Sequence, residues 1–124
     1  MMEIISVAVG GALGAVCRYL LGNFISRASG SALPWGTFAI NIIGCFCMGL
    51  LMTLIVERGM LPAACRLFLS VGLLGGFTTF SSFGYESLML LTEGNIAAAA
   101  AYSGGSLLLG LLAAGTGVLA GKGV

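Results

Sequence analysis

Histidine and aspartate are absent from the 124 residues, and charged residues of all kinds make up only 7%. Without histidine the chain lacks the commonest general base and the commonest metal ligand. No nucleophile–base pair can be assembled from the rest, which argues against an enzyme. A soluble domain carries about 25% charged residues. With so few, this chain cannot cover a globular surface, and the bilayer must be its solvent. A net charge of +1 leaves no basic patch for a nucleic-acid partner. The opening Met1-Met2-Glu3 lacks the positive charge of a cleavable signal, and the apolar run behind it is long enough to span a membrane.

What is present is apolar: 59% hydrophobic residues and a mean hydropathy of +1.13. A chain of this length has room for about four spans of ~20 residues and for no extramembrane domain. The sequence predicts an all-α, multi-pass membrane protein, one transmembrane domain over 1–124. Its spans run from about Ile4 to Phe24, Trp35 to Val56, Cys65 to Leu91 and Ile96 to Gly121. The four cysteines, Cys17, Cys45, Cys47 and Cys65, fall within or at the ends of these runs and read as buried small hydrophobes rather than metal ligands or a disulfide pair.

The third run departs from the others. As one helix it would measure roughly 40 Å at ~1.5 Å per residue, against a hydrocarbon core of about 30 Å. Near its middle stands Gly75 to Phe83, GGFTTFSSF, with adjacent glycines, the hydroxyls of Thr78, Thr79, Ser81 and Ser82, and Phe77, Phe80 and Phe83. Glycine weakens a helix by about 1 kcal/mol relative to alanine, and Ser and Thr compete for its backbone hydrogen bonds. The stretch predicts a break over 75–79, near the bilayer midplane. Such a break is tolerated only where it lines a cavity or is buried in protein. A discontinuous helix turns carbonyls toward cations from one half and N–H groups toward anions from the other. Glu86 continues the Phe83 face by one turn and needs a partner or water.

Other spans carry weaker signals. Gly10 and Gly14 form a GxxxG pair suited to close helix packing. Arg18, four residues on, either anchors the helix by snorkelling or draws anions to a vestibule. A linker is expected from Ile25 to Pro34, with Pro34 in the first turn of the next helix and Trp35 as an interfacial anchor. Thr37, Asn41, Gly44 and Met48 share one face of the second span. Asn41 either bonds another helix or offers its NH₂ to a passing anion. On the fourth span Tyr102, Ser106 and Gly110 make a stripe continued by Ala113, Gly117 and Gly121. It is suited to close packing, with two hydroxyls free for a pore.

Four spans place both termini on one side. That side carries Arg58, Arg66 and Lys122; the other carries Arg27, and Arg18 if it snorkels there. With almost no positive-inside bias, the chain is expected to insert both ways round and to form an antiparallel, dual-topology homodimer.

The motifs GGALGAVCRY (Gly10–Tyr19), GTFAINIIGCF (Gly36–Phe46) and GGFTTFSSF followed by Glu86 resemble, in this order and spacing, the Fluc (CrcB) family of fluoride channels. The resemblance covers essentially the whole chain. It implies an antiparallel dimer in the cell membrane, with two fluoride pathways and one structural sodium ion at the dimer interface. Residue by residue, it implies that the carbonyls of Gly75 and Thr78 hold sodium and that Phe80 and Phe83 line the pathway with positive ring edges. Asn41 would donate beside them, and Ser81, Tyr102 and Ser106 would add polar lining. Arg18 matches the family's first-span arginine. Where some relatives carry further hydroxyls on the fourth span, this chain has Gly110 and Ala114. The implied activity is passive export of fluoride, with HF diffusing inward to maintain the gradient and chloride rejected by a narrow path.

Two alternatives belong to other classes. A small proton-coupled multidrug exporter has the same four-span antiparallel design but needs an ionisable carboxylate within its first span, where this chain has only Glu3 at the start and Arg18 inside. A non-transporting membrane subunit would use the glycines for packing and leave the Thr/Ser/Phe break without a purpose.

Overall fold

Four helical segments in the computed structural model, which describes residues 1–124, are long and apolar enough to cross a membrane: Met2–Ser29, Trp35–Val56, Ala63–Thr92 and Ile96–Gly123. The protein is all-helical and multi-pass.

The first helix outruns its apolar stretch. Its end was expected near Phe24, yet it continues through Ser29 and stops where Gly30 takes a left-handed φ of 59°. The Ser/Gly cluster, rather than the loss of hydrophobicity, is the stop signal, because glycine adopts that conformation without a Cβ clash. Arg18 therefore lies well inside a long helix, not near its end. The second helix matches its expected bounds, with Pro34 just outside it at the N-cap rather than in its first turn.

The third segment begins at Ala63 behind an extended Pro62. It is α-helical to Leu67, π-helical over Phe68–Leu74 and α-helical again over Gly75–Phe77. Thr78 and Thr79 are extended (φ −83°, ψ 159°; φ −149°, ψ 116°), and helix resumes over Phe80–Thr92. The break is thus narrower than the expected 75–79. Gly75–Phe77 keep helical geometry, and the Thr78 N–H still reaches the Leu74 carbonyl at 3.0 Å.

Glycines set the packing. Gly10 and Gly14 are buried against the first half of the third segment: a Cβ there would strike the carbonyl oxygens of Phe68 and Leu73 respectively. From the other side, a Cβ on Gly76 would lie 2.6 Å from the Gly11 carbonyl oxygen. The fourth-span stripe packs on the second helix: a Cβ on Gly117 would strike the Phe46 carbonyl, and one on Gly121 would lie 2.8 Å from the Thr53 Cβ. In a membrane such small-residue contacts supply the van der Waals association that lipid cannot.

Only 16 of 124 residues are buried within the chain, so most apolar side chains face lipid or another protein surface. The cysteines are free; Cys45 and Cys47 are half-buried, but Cys17 and Cys65 are exposed, contrary to the expected burial. They lie on helix faces outside the packing seams, where a thiol against lipid carries little penalty.

Candidate functional site

The break is held from the second helix. Asn41 donates Nδ2–H to the Thr79 carbonyl at 2.9 Å and accepts the Thr79 N–H on Oδ1 at 2.8 Å. Thr79 in turn caps the second half-helix: its hydroxyl accepts the Ser82 N–H at 3.2 Å. Of the two roles open to Asn41, the structure provides the interhelical bond, and it leaves one Nδ2–H uncommitted. One turn along, Gly44 leaves room for Thr78, whose methyl a Cβ would strike.

Two recesses flank the break. One is an open groove of about 350 Å³ lined by Asn41, Gly44, Thr78, Thr79, Phe80, Phe83 and Ser106. The Phe80 and Phe83 rings lie 5.7 Å apart, and Phe83 packs 5.5 Å from the Tyr102 ring. The Ser106 hydroxyl is buried with no hydrogen-bond partner. Phe80 is 83% exposed in the single chain. The N–H groups of Phe80 and Ser81, at the start of the second half-helix, make no hydrogen bond within the chain.

The second recess, about 330 Å³, is mostly polar and is lined by Arg18, Asn23, Ser26, Thr37, Ser82 and Glu86 among others. Arg18 makes no ion pair there; the chain's one salt bridge, Lys122 to Glu57 at 3.9 Å, is elsewhere. Glu86 accepts the Thr37 hydroxyl on Oε1 and the Tyr102 hydroxyl on Oε2, each at 2.8 Å. Polar groups and rings therefore run from Arg18 through Thr37, Glu86, Tyr102 and Phe83 into the groove.

Of the residues singled out from sequence, Asn41, Phe80, Phe83 and Ser106 converge on the groove and Arg18 faces the polar recess. Tyr102 bridges toward Glu86 and turns its hydroxyl proton away from the groove. Ser81 lines neither recess; it is exposed, with its Oγ 3.3 Å from the Thr79 hydroxyl. Ser82 lines the polar recess in its place. Thr37, Thr79 and Ser82 carry site interactions that the sequence alone did not assign. Their hydroxyls were visible, but the partners lie on other elements or across the break.

The carbonyls of Gly75 and Thr78 accept no hydrogen bond within the chain. Neutral backbone oxygens freed at a helix end are the donor type that hard cations take, so these residues fit a sodium ion as the resemblance implies.

The model of CrcB-like proteins, described as camphor resistance, matches residues 5–118. A protein of Chloroflexus aurantiacus named fluoride-specific ion channel FluC is 49% identical over 122 residues, covering 98% of this chain and 97% of that one. Proteins of the same name from Thermus thermophilus and Acidobacterium capsulatum are 51% identical over 108 residues and 44% identical over 121 residues. They are covered over 84% and 97% of their lengths, by 87% and 98% of this chain.

Proposed function

The chain belongs to the CrcB family, and on that premise we propose that it is a fluoride channel, conducting the ion passively out of the cell and performing no catalysis. The observation that carries this reading is the groove at the break, where Phe80, Phe83, Asn41 and the unpartnered Ser106 hydroxyl surround the start of a helix. Fluoride leaves water at a high dehydration cost, so a path for it must replace the lost shell with donors. The groove offers the Ser106 hydroxyl, the free Asn41 N–H, the N–H of Phe80 at the positive end of the half-helix, and ring edges. None of these is a full charge, which keeps binding weak enough for release.

The polar recess acts as the vestibule. Arg18, unpaired, draws anions in, and the Ser82 hydroxyl is the donor on the way to the rings, while Thr37 holds the Glu86 carboxylate. With its hydroxyl committed to Glu86, Tyr102 contributes its ring, packed on Phe83, rather than a donor. The exposure of Phe80 and Gly75 in the single chain supports a second, antiparallel copy closing the groove, giving two paths per dimer. Sodium would be held by the Gly75 and Thr78 carbonyls of both copies. When bound it supplies positive charge that fixes the two breaks against each other, and it is not transported.

Fluoride release from liposomes carrying the purified protein, followed with a fluoride electrode, tests the reading. Release faster than from protein-free liposomes is expected, with chloride retained.

A further inference from the structure

Thr78 and Thr79 leave the helix near the middle of a segment long and apolar enough to cross a membrane, where an unpaired backbone group is costly. Thr79 is only 7% exposed, and neither its N–H nor its carbonyl is paired by its own segment's main chain across the break. Both are satisfied by one side chain. The Asn41 amide lies against the Thr79 peptide groups as a neighbouring strand would, donor to acceptor at 2.9 Å and acceptor to donor at 2.8 Å. Three residues on, and so on the same helix face, Gly44 is the only residue type that leaves space for the Thr78 methyl. The second helix thus presents a matched pair, Asn41 to Thr79 and Gly44 to Thr78.

We infer that Asn41 and Gly44 form a template that holds the two extended residues of the break, so that Asn41 acts as a positioning residue as well as, or instead of, an anion donor. The inference rests on the channel reading for its consequences but not for its geometry. Thr79 passes the constraint on through its cap to Ser82, which fixes where the second half-helix begins and hence where Phe80 and Phe83 stand. Thr78 passes it to the carbonyls proposed for sodium. Disturbing the template should therefore alter the fluoride path and the sodium requirement together, whereas removing a pore donor should alter only the first.

Amide hydrogen exchange resolved at residues 77–83 of the purified full-length protein, run beside fluoride efflux at varied sodium, is the test. In the wild type the Thr79 amide should exchange slower than those of Phe80 and Ser81; equal rates overturn the template. Asn41→Leu keeps the bulk but removes both the acceptor of the Thr79 N–H and the donor to the Thr79 carbonyl. Gly44→Ala pushes on Thr78 without changing any polar group. Each should speed Thr79 exchange by about tenfold, the scale of one buried backbone group left poorly paired. Each should also lower efflux and raise the sodium concentration needed for half-maximal flux. Phe80→Ile, whose ring is exposed in the single chain, should lower efflux with Thr79 exchange unchanged. Wild-type exchange and sodium dependence in both template variants, whatever their flux, overturn the inference. Should one variant fail to fold, the other and the wild-type comparison still decide. If wild-type protein conducts no fluoride, the channel reading fails while the exchange result still stands or falls by itself.

Discussion

Tyr102 hands its hydroxyl to Glu86 across the seam between the third and fourth spans, at 2.8 Å, while Thr37 on the second span takes the other carboxylate oxygen at the same distance. Three helices therefore meet on one acidic side chain inside the membrane. An intramembrane carboxylate needs partners of this kind, and here they are neutral hydroxyls rather than a cation. Arg18 lines the same recess without pairing to it.

Removing one hydroxyl should disturb both the fold and the flux. Tyr102→Phe leaves a carboxylate oxygen without its partner, a loss of about 1–3 kcal/mol. It keeps the ring that packs on Phe83. A lower melting temperature in detergent and reduced fluoride efflux are expected, with Thr37→Val giving the same pair of effects. Full wild-type stability in both variants would remove Glu86 as a structural hub.

The two phenylalanines should separate. Phe83 is in contact with Tyr102 within the chain, whereas Phe80 is 83% exposed. Phe80→Ile should cut efflux with little change in the stability of the chain, and Phe83→Ile should cut efflux and lower stability by about 1 kcal/mol, the scale of a lost aromatic pair. Flux equal to wild type in both would take the rings out of the path.

Glycine substitutions test the packing independently of conduction. A Cβ on Gly14 would strike the Leu73 carbonyl, while one on Gly115 meets nothing within 4 Å. Gly14→Ala should destabilise by about 1–3 kcal/mol through overpacking and shift the first half of the third segment. Gly115→Ala should leave the melting temperature of the chain near wild type. Equal tolerance at both positions would contradict the helix contacts described above.

Sodium can be withdrawn without touching the protein. Replacing it with a large organic cation on both sides of the membrane should reduce fluoride efflux and loosen the proposed dimer, measured by cross-linking. Restoring sodium should recover both. Unchanged flux and cross-linking would separate the Gly75 and Thr78 carbonyls from any cation role.

Much of this was legible in the sequence because membrane constraints are severe. Four apolar runs gave the spans, and the glycine spacing gave the seams, since small residues at Gly10, Gly14, Gly117 and Gly121 have little other use in lipid. The polar stretch from Gly75 to Phe83 marked the break. Its width was not legible: Gly75–Phe77 retain helical bonds because their conformation depends on packing against the first helix, not on glycine propensity. The π-helical stretch Phe68–Leu74 left no sequence signal. Glu86 could be seen to need partners but not which ones, since Thr37 is 49 residues away and Tyr102 is 16. Asn41 looked equally suited to glue or donor; only the position of Thr79 revealed that its amide is engaged on both sides. Ser81 enters through the resemblance alone; the turn after Thr79 brings Ser82 to the polar recess and leaves Ser81 exposed.

The most direct measurement is anion efflux from liposomes reconstituted with the wild-type protein, with fluoride and chloride electrodes read in parallel. A fluoride channel releases fluoride well above the rate of protein-free liposomes and holds chloride back. Fluoride release no faster than from protein-free liposomes, or chloride leaving as fast as fluoride, would contradict the proposed function.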